Sequence, residues 1–160
     1  MKYDFRKYLN PVFVETGSYQ GRGIQSALGA GFKRIISIEK SEKYYKFCLM
    51  KFRHNRNVFL YLGDSVVWLP EILTGIPKSC TFWLDAHYSG GDTAPGPIPI
   101  LKELEIIKAH PFRHTIMVDD MRLFRKGWMG VSAEDIEDSL KDYNIHYEFG
   151  VAPNDILIAT

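Results

Sequence analysis

The chain has 160 residues, a net charge of +1 and a hydrophobic content of 46%. This length fits one domain over residues 1–160, and the apolar content is enough for a buried core. The small net charge gives no bulk attraction to nucleic acid. No apolar run approaches the roughly 20 residues of a membrane span. We therefore predict a single domain that has neither nucleic acid nor a membrane as a partner.

Two local features refine this picture. Residues 33–56 carry eight Lys or Arg against two Glu, and residues 134–148 carry six acids against one Lys. Both segments are explained by solvated helix surface, and the basic one could also attract an anionic substrate. Cys48 and Cys80 lie in apolar surroundings without metal-ligand spacing. We interpret them as reduced core residues, which predicts a cytoplasmic protein.

Apolar runs and helical patterns alternate along the first half of the chain. Strands are predicted over residues 12–14, 34–39 and 58–62. The first helix ends at Gly29–Gly31, and the third covers residues 66–73. The second follows Ser41 and has an apolar stripe at i, i+3, i+4 and i+7, formed by Tyr45, Cys48, Leu49 and Phe52.

The second half continues the alternation. Strands are predicted over residues 80–84 and 115–118, each followed by a loop, over 89–99 and 121–130. A helix carries Leu101, Leu104 and Ile107 after the first loop. Ser132 and Asp135 resemble a capping box before the last helix. Two final strands flank residues 153–155 and predict a hairpin.

This alternation predicts a parallel sheet with helices on both faces and an antiparallel strand from the hairpin. Ligands of such sheets bind outside the carboxyl ends of the strands. Each of the five predicted parallel strands ends at or next to a carboxylate, namely Glu15, Glu39, Asp64, Asp85 and the pair Asp119–Asp120. The regularity predicts a ligand site at this edge of the sheet.

The turn after the first strand reads ETGSYQGRG over residues 15–23. Its glycines let the backbone approach a ligand closely. Glu15, however, would repel the phosphates that a dinucleotide-binding turn holds, which disfavours a dinucleotide oxidoreductase. A cationic ligand fits better, and S-adenosylmethionine (SAM) carries both a sulfonium and an ammonium group.

The motifs resemble those of class I SAM-dependent methyltransferases. Residues 15–23 match that family's E/D-x-G-x-x-x-G-x-G motif, Glu39 matches its ribose-binding acid, and Asp64 matches its acid near adenine, although Asp64 could also cap the next helix. The resemblance implies a Rossmann-like α/β/α sandwich with seven strands in the order 3-2-1-4-5-7-6. It also implies SAM binding by Glu15, Gly17, Ser18, Tyr19, Gly21, Gly23, Glu39, Lys40, Asp64 and Ser65.

Asp85, Asp119 and Asp120 follow two adjacent strands, and such clustered oxygen ligands suit Mg²⁺. This arrangement resembles the metal-dependent O-methyltransferases that modify deoxysugars on macrolides and aminocoumarins. The resemblance implies that the three aspartates bind Mg²⁺ or another divalent cation. It also implies a catalytic base two residues after Asp85, where this chain has His87 instead of that family's Asp. Asp85 and His87 are therefore the predicted catalytic residues.

The function implied is O-methylation of a hydroxyl on a sugar or glycan acceptor. The Asn/Asp-Pro-Pro-aromatic box of base methyltransferases is absent after the fourth strand. We expect an open acceptor site formed by the 89–99 and 121–130 loops, which a partner subunit of a homo-oligomer could complete. Two alternatives stay open: a catechol or other small-molecule acceptor, and a non-catalytic SAM-binding module of a larger assembly.

Overall fold

The computed structural model describes residues 3–86, 97–127 and 130–160. The strands are β1 (Val12–Thr16), β2 (Ile35–Glu39), β3 (Val58–Leu62), β4 (Cys80–Leu84), β5 (Thr115–Val118), β6 (Ile145–Glu148) and β7 (Ile156–Ala159). The helices are α1 (Arg22–Ala30), α2 (Glu42–Phe52), α3 (Ser65–Thr74), α4 (Ile100–Ala109), α5 (Met121–Phe124) and α6 (Ala133–Ser139). A 3-10 turn, Phe5–Tyr8, precedes β1.

The seven strands form one sheet in the order β3-β2-β1-β4-β5-β7-β6. Strands β1 to β5 are parallel, and β7 runs antiparallel to both of its neighbours, β5 and β6. This confirms the predicted Rossmann-like class and strand order. None of the helices in the described ranges is long and apolar enough to cross a membrane.

Each face of the sheet has its own core. Leu69 of α3, Leu104 of α4 and Ile136 of α6 pack on one face. The opposite core joins α1 and α2 to the 3-10 turn. Because side chains alternate along a strand, Val14 of β1 belongs to the first core and Phe13 to the second. Neighbouring residues at the end of β1 are therefore expected to face different helices.

Several predicted local features are confirmed. Ser132 and Asp135 form the capping box of α6. Asp64 caps α3, since its side chain accepts a hydrogen bond from the amide of Val66. Cys48 and Cys80 are buried and form no disulfide.

Two local predictions were wrong. The 121–130 segment was expected to be a loop, but it begins with the short helix α5. Leu49 was expected in the core, yet it is 47% exposed, because α2 buries only Cys48 and Phe52. The apolar stripe of α2 is therefore much narrower than its spacing suggested.

Candidate functional site

A cavity of about 420 Å³ lies at the carboxyl ends of β1, β4 and β5. It is lined by seven of the predicted site residues, namely Glu15, Gly17, Ser18, Tyr19, Gly23, Asp85 and Asp119. The aromatic residues of its lining include Tyr3 and Phe5 near the start of the chain, Trp83 of β4 and Phe149 of the hairpin turn. The cavity therefore joins the glycine-rich turn to the acidic ends of the next strands.

Glu15 is the most buried carboxyl group of this lining, with 1% of its surface exposed. The hydroxyl of Ser37 donates a hydrogen bond to Glu15 Oε2. Burial raises the pKa of Glu15 to about 8, and the Ser37 hydrogen bond offsets this only in part. A Cβ added at Gly23 would lie 1.8 Å from Glu15 Oε1, so a larger residue there would force the buried Glu15 carboxyl group to move. The carboxyl group is thus held in place, and it favours a cationic neighbour.

The glycines of the turn have different roles. Gly17 has φ +85°, and a Cβ there would lie 2.4 Å from the carbonyl oxygen of Asp85. Glycine at this position therefore lets the ends of β1 and β4 approach each other. Gly21 has φ +71° and packs against the ring of Phe52, outside the cavity lining. Ser18 lines the cavity, but its hydroxyl is 2.5 Å from that of Ser37.

Glu39 is held by backbone donors at the end of β2. Its Oε2 accepts from the amide of Tyr19 at 2.8 Å, and its Oε1 accepts from the amide of Ser41 at 2.7 Å. Each carboxylate oxygen can accept a second hydrogen bond, so Glu39 could still accept hydrogen bonds from the two hydroxyls of a ribose. Glu39 lies outside the cavity lining, and its role with SAM stays a prediction.

Lys40 and Asp64 form an ion pair at 2.8 Å near the surface. The hydrogen bond from Lys40 lowers the pKa of Asp64. Asp64 also caps α3, and neither residue lines the cavity, nor does Ser65. Their predicted contacts with SAM stay predictions.

An acidic cluster lies at the end of β5. Oxygens of Asp119, Asp120 and Asp155 all lie within 4.8 Å of one another. The Arg122 guanidinium donates to both Asp120 and Asp155. Burial raises the pKa of Asp85 well above its usual range, and the negative charges of Asp119 and Asp120 raise it further. In the described part of the chain Arg122 pairs with Asp120 and Asp155, and carboxyl groups gathered this closely favour a cation nearby.

Sequence reasoning missed the part that Asp155 and Arg122 play in this cluster. Asp155 was assigned only to the hairpin turn, yet it is fully buried and accepts hydrogen bonds from the amides of Arg122 and Val151. The contact joins segments 33 residues apart, and no local pattern signals it.

Other predictions concern the loops. His87 lies outside the described residues, as does most of the 89–99 loop, so the catalytic assignment of His87 stays a prediction. The acceptor site was expected between that loop and residues 121–130. That expectation stays a prediction, and among the described residues the cavity is also lined by Tyr3–Phe5 and by Phe149–Val151 of the hairpin turn.

No protein-family model matches the chain, and no curated protein sequence matches it significantly. Solved structures do match its fold. The O-methyltransferase TomG from Streptomyces achromogenes, in complex with SAM, has a TM-score of 0.68 at 14% identity, over 97% of this chain and 74% of that one. An O-methyltransferase from Bacillus cereus has a TM-score of 0.61 at 14% identity, over 94% and 74%. The chain has a Rossmann-like methyltransferase fold.

The same fold serves more than one reaction. Spermidine synthase from Thermotoga maritima matches with a TM-score of 0.66 at 10% identity, over 95% of this chain and 53% of that one. Likeness at this level of identity gives the architecture, and the chemistry has to be argued from the site.

Proposed function

We propose that the chain is a SAM-dependent O-methyltransferase that uses a divalent cation to methylate a hydroxyl of a sugar or glycan. The observation that supports this best is the shared cavity. It places the buried carboxyl of Glu15 and the turn glycine Gly17 beside Asp85 and Asp119. A methyl donor and a metal-held hydroxyl need such adjacent sites.

The residues of the glycine-rich turn fit SAM. Burial raises the pKa of Glu15, and a bound ammonium or sulfonium group would favour its ionised form. Glycine at position 17 leaves room for close approach to the backbone. Glu39 would accept from the ribose hydroxyls with its remaining lone pairs. When bound, SAM would supply a methyl group on a positively charged sulfur.

The proposed divalent cation would be held by Asp85, Asp119 and Asp120. Oxygens of Asp119 and Asp120 lie close enough to share an ion, and Asp85 interacts electrostatically with both. Such a cation would lower the pKa of a chelated acceptor hydroxyl. Asp155, through Arg122, would fix the position of Asp120. His87 is assigned as the base that takes the hydroxyl proton, because imidazole titrates near neutral pH.

Calorimetry with SAM and S-adenosylhomocysteine tests the cofactor. We expect micromolar binding and release of up to one proton per ligand at pH 7, because Glu15 ionises. The proton appears as a difference in heat between phosphate and Tris buffers, and the Glu15→Gln variant should not release it. Absence of binding would remove the whole proposal.

Transfer of labelled methyl groups from SAM to a panel of acceptors tests the reaction. We expect incorporation into sugar hydroxyls, loss of activity with EDTA, recovery with Mg²⁺, and a large loss for His87→Ala. Activity that survives EDTA contradicts the metal assignment. Full activity of His87→Ala contradicts the base assignment. SAM binding without transfer to any acceptor favours a non-catalytic module.

A second acceptor class is supported by the rings of the cavity wall. Tyr3 stacks on Trp83 with ring centroids 5.3 Å apart, and both rings line the cavity together with Phe149. Aromatic side chains of this kind could pack against a catechol, whose adjacent hydroxyls also chelate metals. Incorporation into catechol alone would replace the sugar assignment.

A further inference from the structure

Helix α2 exposes large apolar side chains to solvent. Phe47 is 49% exposed and Met50 is 60% exposed, and Leu49 lies next to them. The helix is attached through its other side: Cys48 and Phe52 are buried, and the Lys51 ammonium donates to the carbonyl of Gln20 at 2.7 Å. The solvent-facing side of α2 is therefore an apolar patch, and the opposite side of the helix packs against the domain.

Cations surround these apolar side chains. Lys43, Lys46, Arg53 and Arg56 are exposed along α2 and the turn that follows it. Lys43, Lys46, Phe47 and Met50 have the i, i+3, i+4 and i+7 spacing of one helix face. Glu42 is the only acid in α2, and it pairs with Lys46 at 2.5 Å. We call this face of α2, defined by Lys43, Lys46, Phe47, Met50 and Arg53, the α2 face.

We propose that the α2 face binds an anionic membrane surface. Phe47 and Met50 enter the boundary between headgroups and acyl chains, and Lys43, Lys46 and Arg53 contact negatively charged headgroups. A helix with exposed apolar residues among Lys and Arg has the composition of interfacial helices. This peripheral contact differs from a membrane span, it departs from our expectation from the sequence that a membrane is not a partner, and it does not depend on the proposed enzymatic function.

The charge distribution favours this orientation. β3, next to α2, and β6 are the opposite edges of the sheet. Acids concentrate near β6, where α6 exposes Glu134 and Asp138. An extended negative surface therefore attracts the cations of the α2 side.

A second copy of the chain is a poorer occupant. Within residues 134–148 none of the large apolar side chains is strongly exposed, so this acidic segment gives Phe47 and Met50 no large apolar partner, and the exposed Phe149 and Val151 lie in the hairpin turn that follows it. Two of its acids also have partners within the chain, since Glu148 accepts from Tyr8 and Glu137 from Tyr147.

Nucleic acid is also a poorer occupant. Proteins that bind single strands combine cations with aromatic rings on which the bases stack. Phe47 is the only strongly exposed ring of α2, and the side chains beside it, Leu49 and Met50, cannot stack. A lipid interface accommodates both aliphatic and aromatic side chains.

Sedimentation of the full chain with lipid vesicles tests the proposal. We expect binding to vesicles of phosphatidylcholine with 30–40% phosphatidylglycerol, and little binding to phosphatidylcholine alone. Each cation near an anionic surface strengthens binding by about fivefold, so Lys43→Gln with Arg53→Gln should weaken it by about 25-fold. Phe47→Gln with Met50→Gln should weaken it by at least tenfold. Because these side chains are exposed, the circular dichroism spectra should not change.

The matched control is Leu101→Gln with Lys102→Gln on α4, a neighbouring apolar and basic pair that is exposed on another helix. This variant should bind vesicles like the unaltered chain. Vesicle binding that is absent, or equal in the α2 and α4 variants, overturns the proposal. So does light scattering that shows a dimer abolished by Phe47→Gln. Tighter binding to oligouridylate than to vesicles, lost with Lys43→Gln, also overturns it.

Discussion

Glu15 and Glu103 are equally buried carboxyl groups that belong to different parts of the molecule. Each is 1% exposed, and burial raises the pKa of Glu15 to about 8 and that of Glu103 to about 7. Glu15 lines the cavity at the end of β1. Glu103 of α4 lies outside that lining, and the hydroxyls of Ser65 and Thr16 lower its raised pKa in part. Its Oε1 has no hydrogen-bond partner among the described residues. A raised pKa therefore does not mark a ligand site by itself, and access from a cavity decides between the two.

The largest expected effect is a difference in SAM affinity between the Glu15→Gln and Glu103→Gln variants. Glu15→Gln should weaken SAM binding by 10- to 100-fold, about 1.5–3 kcal/mol, because a charge-assisted contact with the ligand is lost. Glu103→Gln should change the dissociation constant for SAM by less than about threefold, because Glu103 does not line the cavity. Calorimetry at pH 7.5 measures both. Equal losses in the two variants would show that the comparison is wrong.

The next effect tests how closely Glu15 is packed. Gly23→Ala places a Cβ against the Glu15 carboxyl, and we expect the free energy of unfolding to fall by about 1–3 kcal/mol. Gly29→Ala in the same helix is the control, because a Cβ there meets nothing within 4 Å. That variant should gain about 0.5–1 kcal/mol. Urea unfolding measures both, and a Gly23→Ala protein of unaltered stability would contradict the close packing.

The pH dependence of stability distinguishes the two carboxyl groups again. Both hold a proton in the folded chain that the unfolded chain has already released, so each lowers stability as pH rises towards its folded pKa. Of these two groups Glu15 contributes the larger loss between pH 7 and 8.5, about 1 kcal/mol, and Asp85, whose pKa is also raised, adds to the total. Glu15→Gln should reduce the total loss by about 1 kcal/mol, and Glu103→Gln should leave the Glu15 contribution in place. Denaturant titrations at several pH values provide the measurement, and an unreduced loss in Glu15→Gln would refute the assignment.

The smallest effect comes from the hydroxyl groups beside the two carboxyls. Ser37→Ala removes the hydrogen bond to Glu15, so the pKa of Glu15 should rise further and SAM affinity at pH 7 should fall by about 3- to 10-fold, close to 1 kcal/mol. Thr16→Val removes the hydroxyl near Glu103 and should leave affinity within about twofold. A larger change for Thr16→Val than for Ser37→Ala would reverse the comparison.

Much of the fold could be predicted because its signals are local. The strands at Val58–Leu62 and Cys80–Leu84 have the bounds expected from their apolar runs, and the sheet has the order implied by the resemblance. The exposure of Leu49 could not be predicted, since helical spacing indicates which residues share a face but not how much of that face a neighbour covers. Helix α5 has only four residues, too few for a periodic pattern.

The candidate site could be predicted where it depends on strand ends. Glu15, Asp85 and Asp119 meet in one cavity because the carboxyl ends of parallel strands lie at the same edge. The contacts of Asp155 with Arg122 and of Glu103 with Thr16 could not be predicted. They join segments that are distant in sequence, and they depend on how the hairpin and α4 pack on the sheet.

The position of β7 between β5 and β6 has a consequence for biosynthesis. During translation β1 to β5 leave the ribosome before β7 exists, so the nascent chain exposes unpaired backbone groups along β5. Such an open strand edge invites aggregation and is a natural target for chaperones. Asp155 precedes β7 directly, so its contact with Arg122 forms only when the last strand inserts. Ribosome-bound intermediates would therefore carry an incomplete acidic cluster until synthesis passes residue 159.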